Sequence, residues 1–475
     1  AEKLLGGLWN PNNDGDDKSG FYNFKYQQEL KFHYYNFSTR LDWNINDRWK
    51  AYARVSRMKT DQDAVDYTDG NDPLKLRNTT GSKRNGWNIA ADTVYTFNPS
   101  TTLNVRGSFY QVEDKREYPD MVVGEEGYAN LWPSGWWGPY AEGRPLIYSP
   151  YLVVESTARN AFGVANYWYQ QPKGYSVHAR LNKYLTRHSI KAGTEIRWKR
   201  GDAARFYYTG LQFRAAETGN RWTSPTTTSG HPWASFLLGS MDTGNSSVQY
   251  RQLQIANTEF YGFYVQDDWK VTPKITLNLG LRYEYEGGFW DPEYRLPQRL
   301  DVADPIPGMA DVIDPKIPAD IRARMAESAG AKGYTYNGAF YFTEEDSKRK
   351  TDAWAGGFMP RIGLAWRLDE KTAFRAGYGR FVTPTELANS ERDTLGEIDL
   401  AAFNPVTNVL SNVNGVPVAF LANPFPQGLT PAYGKSYGRN TNLGDNVSWD
   451  EYEQRTPVSD RINVSLQREL AWRIV

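Results

Sequence analysis

The chain contains no cysteine, which removes disulfide frameworks, thiolate metal sites and cysteine nucleophiles together. Neither charge is in surplus: 55 basic side chains balance 55 acidic ones over 475 residues. A nucleic acid therefore finds no basic field to draw it in. Histidine is scarce. The four present, His33, His178, His188 and His231, are far apart and form no HExxH-type pair, so they read as lumen or loop residues and not as a metal site. Long apolar runs are missing as well. Mean hydropathy is low, and no stretch is long enough to be a membrane helix. That excludes a helical membrane protein but not a barrel, because alternating strand residues cancel in any window average. No signal peptide opens the chain; Ala1-Glu2-Lys3 looks like mature or internal sequence. Nucleophile elbow, phosphate loop and paired-carboxylate site are all lacking, so the sequence reads as no enzyme, with no catalytic residue and no cofactor.

What the chain has in quantity is aromatic rings: 17 Trp, 32 Tyr and 21 Phe. Amphipathic rings in such numbers suit membrane interfaces. It also repeats one pattern, two alternating strands joined by a very short turn. After Thr272-Pro273-Lys274, Ile275, Leu277, Leu279, Leu281, Tyr283 and Tyr285 share one face. Thr276, Asn278, Gly280, Arg282 and Glu284 share the other. Before that turn Tyr261, Phe263, Val265, Trp269 and Val271 form an apolar face, with Asp267 the exception. Period-two alternation gives each strand one apolar and one wet face. The design recurs at Asn46-Asp47, Asn98-Pro99-Ser100, Thr186-Arg187 and Asp369-Glu370-Lys371. These turns carry the Asn, Asp, Pro and Ser chemistry of tight hairpins.

The opposite strand ends lead into long polar segments, at 60–85, 115–173, 287–356 and 384–460. Aromatics cluster beside the short turns: Trp43, Trp49, Phe97, Trp269, Trp366 and Phe374. The expected fold class is all-β, an antiparallel transmembrane β-barrel with short periplasmic turns and long extracellular loops. A soluble sandwich or propeller also alternates. Strand length, polarised loop lengths and aromatics at the ends of apolar faces favour the membrane barrel. The count reaches about thirteen strands of roughly ten residues, long enough to span a bilayer when tilted. Trp233 to Gly239 breaks the alternation and is expected to be a short helical turn on the periplasmic side, reversing strand parity.

The run Tyr264-Val265-Gln266-Asp267-Asp268-Trp269-Lys270-Val271-Thr272-Pro273-Lys274-Ile275-Thr276-Leu277-Asn278-Leu279-Gly280-Leu281-Arg282-Tyr283-Glu284 closely resembles a signature stretch in barrels of TonB-dependent receptors, nearest to the Oar-like branch. Ala234 to Gly239, Pro360 to Trp366, Phe374 to Phe381 and Ile462 to Leu470 resemble the same branch in the same order. The resemblance implies a plugged barrel of about twenty-two strands, driven through a TonB contact. Substrates across that family include iron chelates, cobalamin, saccharides and peptides. Residues 1–475 show no plug domain and no TonB box, and Ala471 to Val475 make no obvious closing β-signal. The chain is therefore expected to be an incomplete barrel portion of a longer polypeptide. Its expected partners are outer-membrane lipid, the TonB complex through a plug not present in this chain, and an unidentified extracellular ligand; nucleic acid is not among them. A passive porin-like channel and a barrel-anchored adhesion or assembly protein are the alternatives.

Two groups of residues are candidates for function. Trp132, Trp136, Trp137 and Tyr140 stand in an otherwise polar loop, where rings can stack on a sugar or grip an apolar partner. The competing expectation is that they pack the loop onto its neighbours or rest in the headgroup layer. Arg40, Arg180, Arg197, Asp268, Arg282, Glu284, Arg361 and Arg375 fall on wet strand faces, where they would line a lumen. Asn10 to Asp17 starts like a calcium loop, but Phe21 stands where the twelfth-position Glu belongs. It reads as a solvated loop, as does the acidic segment with Asp66, Asp69, Asn71 and Asp72.

Overall fold

Alternation becomes strand wherever it is long enough. The computed structural model describes residues 12–15, 25, 27, 29–63, 81–117, 124–141, 151–154, 161–162, 166–207, 210–219, 230–249, 253–330, 334–383, 403, 405–410, 412–413, 416–441, 451–453 and 455–470. One 11-stranded sheet dominates it. Its strands are β1 (Phe32–Asn46), β2 (Trp49–Gln62), β3 (Gly81–Asn98), β4 (Thr101–Glu117), β5 (Asn166–Tyr184) and β6 (His188–Tyr207). They continue with β7 (Gln254–Lys270), β8 (Ile275–Glu286), β9 (Phe358–Arg367), β10 (Thr372–Val382) and β11 (Val458–Arg468). Spatial order is chain order, and each strand pairs antiparallel with the next. β1 and β11 are the edges, and the sheet is not closed on itself among the described residues. Against the expected thirteen or so strands, the described residues place eleven in the wall; the remaining short strands among them belong to the loops.

Turn chemistry explains where each hairpin reverses. The Asn46 Oδ1 accepts the Arg48 N–H at 2.9 Å, and Asn98 Oδ1 accepts both N–H and Oγ of Ser100 at 3.1 and 2.8 Å. Thr272 Oγ1 takes the N–H groups of Lys274 and Ile275 at 3.2 and 3.0 Å. Asp369 Oδ1 accepts the Lys371 N–H at 2.8 Å, and that bond holds its carboxyl below the ordinary value. Short polar side chains here replace the ladder bonds that the reversing backbone gives up.

The faces separate as the sequence predicts. Leu41 is 69% exposed, Trp43 63% and Ile462 80%; exposed apolar side chains of the other wall strands continue this surface, and those of β4 and β10 on it are half-buried. Aromatic pairs cross between strands on it, Phe109 with Tyr175 at 5.0 Å and Tyr283 with Phe358 at 4.7 Å between ring centroids. Trp49, beside a short turn, donates its Nε1–H to Thr93 Oγ1 at 2.7 Å, a polar handle at the edge of an apolar band. A contiguous apolar surface of this extent is unsuited to water.

The connections at the other strand ends, 63–80, 118–165, 208–253, 287–357 and 383–457, are long. Three of them build a core of their own. Tyr151–Val154 runs parallel to Gly210–Phe213 in a five-stranded sheet that also takes Ser247–Gln249 and Val406–Asn408. Leu152, Val154, Leu211 and Phe213 are fully buried there. The segment Trp233 to Gly239 is helical, as expected, within a helix at Pro232–Leu238. His231 Nδ1 accepts the Trp233 N–H at its start, and Gly239 ends it at φ 73°, a backbone state that only glycine adopts without strain. Its expected place on the short-turn side is corrected. The helix belongs to the long connection between β6 and β7, and Phe236 is buried in the same core as Trp132. Consecutive wall strands alternate direction without a break, so no parity reversal is needed.

Candidate functional site

The register carries the wet faces of eight strands into one row. Asp42 lies opposite Tyr52, Tyr52 opposite Asp92, and Asp92 opposite Arg106. The row continues through His178, Glu195 and Gly262 to Glu284. Period two then puts Arg40, Arg180, Arg197, Asp268 and Arg282 on the same face. Arg361 joins it opposite Gly280, and Arg375 opposite Ala365. All eight wall residues singled out from the sequence therefore share one surface.

On that surface charges are paired locally. Arg40 bonds Asp42 at 2.7 Å and lies 3.9 Å above the Tyr52 ring. Asp92 receives Arg106 and Asn104, both at 2.8 Å. Arg282 joins two strands, bonding Glu284 at 2.5 Å and Glu195 at 3.4 Å, while Arg197 reaches Glu195 at 3.3 Å. Asp268 holds Asn278 at 2.6 Å and Lys191 at 3.8 Å. Arg361 lies 4.8 Å over Phe381. Arg180 and Arg375 make no ion pair among the described residues. Half-exposed pairs of this kind add little stability; they fix side-chain directions and leave a mixed-charge wall.

Sequence reasoning left Asp267 as an unexplained charge on the apolar face. Its partner is His188, whose Nδ1 sits 2.6 Å from Asp267 Oδ2 and whose ring stacks on Trp269 at 5.4 Å. The pair lies diagonally across β6 and β7, beside the short turns, where headgroups and water replace hydrocarbon.

The tryptophan loop is placed by the core of the long connections. Trp132 is 1% exposed and donates its Nε1–H to the Leu421 carbonyl at 2.9 Å. Trp136 is buried edge-on to it, 5.7 Å away, and touches Phe425 at 5.0 Å. Trp137 is half-buried and donates to the Trp132 carbonyl at 3.1 Å. The Tyr140 side chain lies outside the described residues, as do Asp66, Asp69, Asn71 and Asp72. Of the Asn10 to Asp17 segment only Asn12–Gly15 is described, where Asn13 Oδ1 closes a turn on the Gly15 N–H at 2.9 Å. No group of three His, Cys, Asp or Glu suited to a metal occurs among the described residues.

Polar anchors in the connection between β8 and β9 were not legible in the sequence. Arg295 and Asp291 are 6% and 1% exposed and bond at 2.6 Å. Nearby, Tyr336 donates to Asp314 Oδ1 at 2.6 Å, which pushes its hydroxyl up to about 12. Tyr341 donates to Asp304 at 2.6 Å, lowering that carboxyl, and Arg439 joins the same oxygen from the last long connection. Replacing Asp291 by alanine removes the buried partner of Arg295 and leaves it the exposed Glu293 at 3.3 Å, which should cost about 2–3 kcal/mol. Limited proteolysis of folded protein in detergent should then cut within 287–357, while the heat-sensitive gel mobility of the barrel is kept; unchanged resistance would mean that the pair does not anchor the segment.

A family model described as the outer membrane beta barrel domain matches residues 1–475. The chain belongs to this family. The outer-membrane barrel thus lies in a bacterial outer membrane, with its apolar face toward lipid. No curated protein matches it. Among solved structures, the alcaligin outer membrane receptor FauA from Bordetella pertussis is 9% identical, with a TM-score of 0.35, over 74% of this chain and 36% of that one. The siderophore receptor PiuA from Acinetobacter baumannii is 10% identical, with a TM-score of 0.37, over 94% and 48%. The copper transporter OprC is 8% identical, with a TM-score of 0.37, over 75% and 38%. The outer-membrane barrel therefore spans less than half the length of each of these.

Proposed function

We propose that the chain is the barrel portion of a TonB-dependent outer-membrane transporter of the Oar-like branch, and no enzyme. The long connections capture a ligand such as a saccharide, peptide or metal chelate. The mixed-charge wall lines the path that opens when a plug, outside this chain, is moved by TonB. Import is the direction we favour over export. The run Tyr264 to Glu284 carries this reading, because its resemblance falls on two adjacent wall strands, β7 and β8, and on the turn between them. Arg282, Glu284 and Asp268, all in that run, supply part of the ion-paired wall.

The test uses the native protein purified from outer membranes. Its intact mass should lie well above 54.2 kDa, with peptides for a plug and a TonB box, and crosslinking in cells should capture TonB. A mass of 54.2 kDa, with ohmic conductance in planar bilayers that needs no TonB, would overturn the reading in favour of a passive channel. A sealed barrel of that mass, with its loops on a protein partner, would favour a surface anchor.

A further inference from the structure

The apolar face carries a feature that lipid exposure alone does not require. Above its hydrocarbon-facing rows, toward the long connections, runs a basic row. Phe37 lies opposite Arg57, Arg57 opposite Trp87, and Trp87 opposite Gln111. Gln111 then faces Lys173, and Lys173 faces Arg200. Arg57 is exposed, with its guanidinium 4.4 Å over the Trp87 ring, and Lys59 is exposed two residues further on. Arg57, Lys59 and Lys173 have no carboxylate partner among the described residues. Arg200 is held by Asp202 at 2.7 Å, and Lys115 lies 3.9 Å from Glu113. Asp61 stands opposite Lys83. Lys173 stands directly opposite Arg200, whose charge Asp202 already answers, so Lys173 is the open cation of that cross-strand pair.

Below this row the apolar face opens into a groove of about 380 Å³. Its floor is small side chains, Ala51, Ala53, Ala91 and Gly107, and Leu41 and Trp43 form one bank. A Cβ added at Gly107 would meet nothing within 4 Å, so packing does not demand glycine there; its effect is to keep the groove open. Ala53 and Arg57 are on one strand, about 13 Å apart at ~3.3 Å per residue. A lipid with a chain in the groove would bring its headgroup to the level of Arg57 and Lys59.

We propose that β2, β3, β4 and β5 hold a resident phosphate-bearing lipid of the outer leaflet, with an acyl chain in the groove and its phosphate on Arg57, Lys59 and Lys173. The charge above the groove selects this occupant. A neutral partner would leave three cations unanswered, and a free anion would leave the groove unfilled. Basic side chains at a membrane surface recognise anionic headgroups in this manner. The site is on the opposite face from the charged wall, so it holds whatever the transported ligand is.

The test is native mass spectrometry of the full-length protein from outer membranes, followed by reconstitution in phosphatidylcholine vesicles with and without phosphatidylglycerol. The wild type should retain a phosphate-bearing lipid and bind phosphatidylglycerol. The triple variant Arg57→Gln, Lys59→Gln, Lys173→Gln should bind about a hundredfold more weakly. Gly107→Phe, which fills the groove and leaves every charge in place, should also lose the lipid, and Ala53→Leu should weaken it. Heat-sensitive gel mobility reports that each variant is folded. Loss on removing the charges but not on filling the groove would overturn the proposal in favour of loose headgroup attraction. Displacement by inorganic phosphate would overturn it in favour of a free-anion site. A dimer that Gly107→Phe dissociates would show a second copy in the groove. A wild type carrying no phosphate-bearing lipid would end it outright.

Discussion

Replacing Trp132 by alanine is expected to destabilise the packed long connections by about 3–5 kcal/mol, the usual cost of emptying a buried tryptophan site. The ring is 1% exposed and packs 5.4 Å from Tyr128 and 5.7 Å from Trp136. Its Nε1–H also satisfies the Leu421 carbonyl at 2.9 Å, tying the connection after β4 to the one after β10. Alanine leaves a cavity and a lost tether together. Wall strands do not share this core, so the barrel itself should survive. The measurement is limited proteolysis of folded protein in detergent: new cuts within 118–165 and 383–457, with the heat-sensitive mobility of the barrel retained. Resistance equal to the wild type would mean that other contacts hold the connections. Trp137→Ala is the informative companion. That ring is half-buried, so a loss of ligand affinity without new cuts would mark it as a contact residue.

The wall was readable because its information is local. Ile275, Leu277, Leu279 and Leu281 announce a face by period two, and Asn46, Asn98, Thr272 and Asp369 announce turns by their own side-chain oxygens. Nearest-neighbour pairing then follows from short turns. What could not be read depends on partners far away in sequence. Trp132 finds its acceptor 289 residues later, so three tryptophans in a polar loop could not declare whether they faced a ligand or another loop. Asp267 looked like a flaw in its strand because His188 lies 79 residues before it. The helix at Pro232–Leu238 was recognisable from its broken alternation, but its side was not, since that is set by the core that buries Phe236. The lipid groove was equally hidden: Ala53, Ala91 and Gly107 are unremarkable until the register lines them up.

Val177→Arg is expected to cost about 2–4 kcal/mol of stability in bilayers, the range for arginine near the midplane on the lipid side of a barrel. Val177 is 39% exposed, in the middle of β5, opposite Gly107 and Ile196 on the apolar face. Its neighbour His178 points to the other face, opposite Arg106 and Glu195, so His178→Arg adds the same charge one residue away in a hydrated setting beside a carboxylate. The pair isolates the face from the residue type. Folding into phosphatidylcholine vesicles, followed by urea titration, should show Val177→Arg strongly destabilised and His178→Arg within about 0.5 kcal/mol of the wild type. Equal tolerance at both positions would mean that the apolar face is not against hydrocarbon and that the orientation of the wall is wrong. Equal damage at both would mean that the wet face is sealed from water, which would remove the hydrated path on which transport through this barrel depends.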